Sequence, residues 1–125
     1  MILVDTSVWS EHFKRADARL NALLSAGLVL GHELVLGELA CGTPPAPRGR
    51  LLASFADLPQ ARISTVAEAM ALLEREQLYG RGLGLIDVLL LASALITPGT
   101  SLLTLDKRLD AAAGVLGVSY NQALQ

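Results

Sequence analysis

Short apolar runs alternate with longer stretches of helical spacing along the whole chain. Ile2, Leu3 and Val4 form a run that stops at Asp5, and the next segment, "DTSVWSEHF", has capping residues followed by Val8, Trp9, His12 and Phe13 at helical spacing. This predicts a strand feeding a helix. A second helix is predicted over about 17–26 with Leu20, Leu23 and Leu24 inward, stopping at Gly27. Leu28, Val29 and Leu30 read as a buried strand, and "GHELVLGELACG" as a helix closed by Gly42. The stiff loop "TPPAP", 43–47, precedes a helix near 48–57 that sets Leu51, Leu52 and Phe55 on one side. A weak strand, "ARIS", leads into a helix from Thr65 to about Tyr79, where Thr65 and Glu68 are spaced as a capping box. After "GRGLG" come the apolar helix "GLIDVLLLASALI" (84–96), the strand "SLLTL", the short helix "DKRLDAAAG" and a last short strand around "GVSY". Strands alternating with helices predict an α/β fold with a mainly parallel sheet.

At 125 residues the chain is expected to form a single domain over 1–125. Its 52% apolar content and mean hydropathy of +0.47 are high. No apolar run reaches the roughly 18 residues that span a bilayer, so the surplus is expected to meet a partner protein and no membrane. The opening "MILVD" lacks a basic region and meets an acid at once, so no signal peptide is expected. Cys41 is the one cysteine, which suits a reducing cytoplasm. A net charge of −2 does not mark a nucleic-acid binder by composition. The ten basic residues nevertheless fall in segments that read as exposed, leaving a basic rim around an acidic pit open.

The positions of four acids change the picture. Asp5 and Asp106 each follow a predicted strand, where parallel-sheet domains place their sites, although each can also serve as a helix N-cap. At about 100° per residue, Glu38 falls between Leu34 and Val35, on the apolar side of its helix, while Glu33 falls on the polar side. Asp87 has Leu90 and Leu91 one turn away. If such carboxylates converge, each pair about 4 Å apart repels by roughly 4 kcal/mol at an effective dielectric near 20. A divalent cation removes that penalty, and oxygen-only donors suit Mg²⁺ or Mn²⁺. Thr6, Ser7 and Thr104 adjoin two of the acids and can support them. Such a site suits metal-dependent hydrolysis of a phosphodiester.

"ILVDTSVW", Glu38 on the following apolar helix, "GLIDVLLLASAL" and "LLTLDKRL" together resemble, in order and spacing, the four acidic landmarks of PIN-domain nucleases. The short length and the Asp-Thr-Ser-Val-Trp opening resemble the VapC toxins of bacterial toxin–antitoxin pairs. The resemblance spans nearly the whole chain. It implies a PIN-like three-layer α/β/α domain with a central, mainly parallel sheet. It further implies an Mg²⁺- or Mn²⁺-dependent endoribonuclease that cuts structured RNA such as transfer or ribosomal RNA, with Asp5, Glu38, Asp87 and Asp106 as catalytic and metal-site acids. Its expected partners are the RNA substrate, a VapB-like antitoxin and a second copy of the chain in a homodimer, with DNA reached only through the antitoxin. Leu109 departs from the aromatic often found in the fourth motif, which concerns packing and leaves the acids intact.

Arg48, Arg50, Arg81 and Lys107 are candidate RNA contacts. Other signals carry less. "GRGLG" follows a helix where a dinucleotide-binding loop follows a strand. His12 and His32 lack zinc-ligand spacing and read as surface or packing residues, Trp9 and Phe13 read as core, and Asp110 reads as a solvated partner of Lys107. The competing reading is a catalytically silent module on the same fold whose acids bind a basic antitoxin segment. A phospho-acceptor receiver needs adjacent acids after the first strand, and "VDTS" supplies one.

Overall fold

Residues 2–4 are apolar without interruption because they are covered on both faces. In the computed structural model, which describes residues 1–123 and their side chains through Asn121, strand β1 (Ile2–Val4) is the middle strand of a parallel sheet. It pairs with β2 (Val29–Leu30) on one side and β3 (Ser101–Leu103) on the other. Leu3, Val4, Leu102 and Leu103 are fully buried, as expected for a sheet sandwiched between helices. The strands alternate with α1 (Thr6–Lys14), α2 (Ala18–Ser25), α3 (Glu33–Cys41), α4 (Arg48–Ala56), α5 (Val66–Arg75), α6 (Leu85–Ile96), α7 (Lys107–Val115) and α8 (Tyr120–Ala123). This is the expected three-layer α/β/α arrangement around a parallel sheet.

Three departures from the expected elements have local causes. "ARIS" and "GVSY" are not full strands. Each edge of the sheet is extended by a single parallel bridge, Gly31 with Gln60 and Leu102 with Ser119. Pro59 has no N–H to extend the first, and α8 begins one residue after the second. The second strand is shorter than read, since Leu28 lies outside β2 and is exposed. Helix α5 stops at Arg75 and not near Tyr79, because Gln77 takes a left-handed φ of 52°. The Leu78 N–H then returns to the Leu73 carbonyl at 3.0 Å while the Leu78 side chain is fully buried, a Schellman closure. Gly27, at φ 69°, closes α2 in the same way.

The apolar helix α6 is the interior element of the helical layers. Seven consecutive residues, Val88 to Ala94, are buried, and it packs against α5 and β3. Helix α3 packs against α1 and α4. Trp9 closes the region between α1 and α4, its ring edge-on to Phe55 at 4.8 Å between centroids. Phe13 sits half-buried beside it.

Candidate active site

Two of the four acids begin helices at the carboxyl ends of neighbouring strands. Asp5 follows β1 and N-caps α1; Asp106 follows β3 by three residues and N-caps α7. Both therefore perform the capping role their positions permit. Asp5 does more. Its Oδ1 accepts from the Thr6 N–H at 2.8 Å, and its Oδ2 accepts from Ser7 Oγ at 2.9 Å and Thr104 Oγ1 at 2.7 Å. Three donors fix the orientation of this carboxylate, which is only 7% exposed. Thr104 Oγ1 also accepts from the Asp106 N–H at 3.0 Å, so one hydroxyl joins the turns that carry Asp5 and Asp106. Ser7 Oγ accepts from the Leu105 N–H at 3.0 Å and ties the same two turns again.

Glu38 stands on α3, whose buried face is formed by Val35 and Leu39. The expectation that Glu38 shares that apolar face is corrected: its side chain is exposed, one position off the buried stripe, toward α1. There Thr6 Oγ1 donates to Glu38 Oε1 at 2.7 Å. Asp87 also proves less deeply buried than its apolar neighbours imply. It lies in the first turn of α6, half-buried, just before the buried run, and its Oδ2 accepts from the Gly84 N–H at 2.9 Å. All three hydroxyls expected near the acids are thus bonded to one of them.

The Asp87 carboxyl titrates above the ordinary carboxylate range. Burial is the main cause; the Gly84 N–H opposes it, and the charges of Asp5 and Asp106 add to it. Asp87, at the start of α6, thus feels the charges of the acids at the ends of β1 and β3. Among the described residues the ion pair present is Arg75 with Glu76, on a different helix, so no lysine or arginine is paired with these acids. Among the described residues, no three His, Cys, Asp or Glu side chains are already drawn together as a metal cage. The donor chemistry nevertheless fits a hard divalent cation: carboxylate and hydroxyl oxygens only, with mutual repulsion for an ion to relieve.

The basic candidates divide. Arg48 is committed to the end of α3, its guanidinium donating to the Ala40 carbonyl at 2.7 Å and the Gly42 carbonyl at 3.5 Å. Arg81 donates from Nε to the Gln77 carbonyl at 3.2 Å. Arg50 and Lys107 are exposed, the latter at the first position of α7 beside Asp106. Asp110 accepts from Ser119 Oγ at 2.7 Å.

Two residues near the site were not singled out by sequence, and a third, His32, was read only as a surface or packing residue. Arg108 lies across Gly82, whose φ is 79°: a Cβ there would fall 2.7 Å from the guanidinium, so a side chain in this loop, two residues before Gly84, would strain the backbone and push the exposed arginine aside. Asn121 donates from Nδ2 to the Thr104 carbonyl at 3.0 Å and accepts from Arg19 at 2.8 Å, bracing the hydroxyl hub from behind. His32 is fully buried as the N-cap of α3. The doublet of Asp106 with Arg108 at the start of α7 was the available signal for the first. The other two depend on partners far away in sequence.

A profile of the PIN domain matches residues 2–115 of the chain. Ribonuclease VapC32 of Mycobacterium tuberculosis, from strain H37Rv and from strain CDC 1551, is 46% identical to it over 119 residues, covering 95% of both chains.

Proposed function

The chain belongs to the PIN-domain family, in its VapC branch, and on that footing we propose that it is a divalent-metal-dependent endoribonuclease acting as the toxin of a toxin–antitoxin pair. The observation that carries this reading is the hydroxyl network at the carboxyl ends of β1 and β3, where Thr104 Oγ1 donates to Asp5 and accepts from the Asp106 N–H and Thr6 Oγ1 donates to Glu38, with no basic partner for these acids among the described residues. The relative named a ribonuclease supports RNA as the substrate class.

Asp5, Asp87, Asp106 and, through Thr6, Glu38 are the groups that would hold Mg²⁺ or Mn²⁺. When bound, the ion supplies Lewis-acid stabilisation of the phosphodiester and a more acidic water. The protein's own part is positional. Ser7 and Thr104 keep the Asp5 carboxylate from rotating, Thr6 turns Glu38 toward α1, and the Gly84 N–H holds Asp87 at the mouth of α6. Water attacks phosphorus directly, with no covalent enzyme intermediate. Arg108 and Lys107, at the start of α7, and Arg50 and Arg81 are the basic residues proposed to meet RNA phosphates. A VapB-like antitoxin restrains the activity by covering apolar surface, and the active form is a homodimer in the cytoplasm, each chain folded as one domain.

Induced expression tests the reading. The chain alone arrests growth, co-expression of the adjacent antitoxin gene relieves the arrest, and sequencing of RNA 5′ ends shows new termini in a structured RNA within minutes. Harmless expression with an unchanged population of RNA ends contradicts it and favours the silent interaction module.

A further inference from the structure

Glu38 stands between two grooves of different chemistry. On one side a groove of about 420 Å³ runs between α1, the end of α3 and the following loop, with Ser10, Phe13, Lys14, Thr43, Pro44 and Glu38 on its walls. On the other side an open groove of about 430 Å³ is lined by Glu33, Leu34, Gly37, Cys41 and Ile86 with the same Glu38. The second carries two acids and no base, which repels a polyanion. The first pairs an exposed lysine with flat apolar walls and two exposed hydroxyls, and its volume lies within the roughly 300–1,000 Å³ usual for ligand sites.

We infer that the groove between α1 and the 42–45 loop seats an unstacked nucleotide of the RNA substrate, adjacent to the phosphodiester that is cut. Single-stranded RNA is read by splaying bases against aromatic and apolar faces and by pairing backbone phosphates with basic side chains. Phe13 and Pro44 provide the faces, Ser10 and Thr43 the hydrogen-bonding groups, and Lys14, which has no ion-pair partner among the described residues, the phosphate contact. The wall is held in place for this. Arg48 bonds the Ala40 and Gly42 carbonyls where α3 runs into the loop. Because Glu38 lines the groove and also bonds Thr6 beside Asp5, a nucleotide seated there lies next to the acidic site. The inference rests on the ribonuclease reading and adds to it a place where cleavage specificity is set.

The test uses full-length protein and a structured RNA carrying 5-iodouracil at single positions around the cleavage point. Photocrosslinks are mapped by mass spectrometry in the Asp5→Ala background, and cleavage kinetics are measured in the intact background for Thr43→Trp, which fills the groove from an exposed loop position, and Lys14→Gln. Crosslinks fall on Phe13 or the 42–45 loop for one flanking position. Both substitutions raise KM about tenfold, the scale of one lost base stack for Thr43→Trp and of one lost phosphate contact for Lys14→Gln, with kcat within about twofold. An abasic residue at that position slows wild type and not Thr43→Trp. Cleavage by wild type with crosslinks confined to the Asp87 and Arg108 side, or with KM unchanged in both variants, overturns the groove assignment and leaves the ribonuclease reading standing. Crosslinks in the groove without cleavage by wild type uphold the groove and overturn the ribonuclease reading. Binding of the antitoxin in a groove that never crosslinks RNA identifies a protein-binding surface and overturns the groove assignment.

Discussion

His32 Nε2 lies 2.9 Å from Ser93 Oγ, and that bond joins the helix that carries Glu38 to the helix that carries Asp87. The ring's Nδ1 accepts from the Leu34 N–H at 3.0 Å, so the neutral ring holds its proton on Nε2 and donates it to Ser93. Ser93 Oγ accepts also from the Ser64 N–H at 3.2 Å, which draws in the chain before α5. Burial lowers the pKa of His32 below the ordinary imidazole value, with Glu33 opposing. Protonation therefore costs the folded state: the stability is present above about pH 6.5 and is lost as pH falls below that value toward the depressed one. His32→Ala is expected to lower stability by about 1–3 kcal/mol, the cost of stranding the Leu34 N–H and Ser93 Oγ. His32→Gln should flatten the pH dependence below 6.5, as read by urea midpoints across pH.

Asp87 behaves in the opposite sense. Its carboxyl binds a proton more tightly folded than unfolded, so its contribution to stability is fullest below the ordinary carboxyl value near 3.9 and declines as pH rises through the raised one. Asp87→Asn keeps an acceptor for the Gly84 N–H and removes the charge. The variant should melt higher than wild type at neutral pH without added metal, with the gap closing on acidification toward pH 4. Mg²⁺ should raise the Tm of wild type and leave that of Asp87→Asn unmoved. A variant that melts lower than wild type at pH 7 contradicts the proposed crowding of charge.

The Thr104 hydroxyl holds two site turns together. Thr104→Val keeps the shape and removes both the bond to Asp5 and the acceptor for the Asp106 N–H. A loss of about 1–3 kcal/mol in stability is expected, together with reduced cleavage, and Thr104→Ser should restore both. Circular dichroism melts and RNA cleavage rates measured side by side check this.

Gly82 and Arg108 make a steric pair. An alanine at 82 meets both a positive φ and the arginine side chain, so Gly82→Ala is expected to cost about 1–2 kcal/mol from the backbone alone. Adding Arg108→Ala should recover the steric part and not the backbone part, seen in a double-mutant cycle of urea midpoints. Arg108→Ala alone should weaken RNA binding and reduce the slope of log K against log salt by roughly 0.7–0.9, one phosphate contact.

Much of the fold was legible because its signals are local. The run Ile2–Val4, the Thr65–Glu68 capping box and the apolar span of α6 each state their structure within a few residues, and the structure has β1, α5 and α6 there. What was misread depended on distant or subtle features. The end of α5 turns on a glutamine adopting a conformation usually left to glycine, and the edge strands contract to single bridges set by Pro59 and by the start of α8. The four acids were legible as anomalies, but helical projection alone placed Glu38 on the wrong side of its apolar stripe. The partnership of Thr6 with Glu38 crosses 32 positions, and those of Thr104 with Asp5 and His32 with Ser93 cross 99 and 61, beyond any window of local pattern.

The central claim is that Asp5, Asp87 and their neighbours form a metal-dependent ribonuclease site. Its most direct test is cleavage of a structured RNA by highly purified wild type, Asp5→Ala and Asp87→Ala, each with Mg²⁺ or Mn²⁺ and again with EDTA. Wild type should cut only with metal, activity should return when metal replaces the chelator, and both variants should be inactive with circular dichroism spectra matching wild type. Equal cleavage by wild type and either variant, or cleavage undiminished in EDTA, contradicts the assignment.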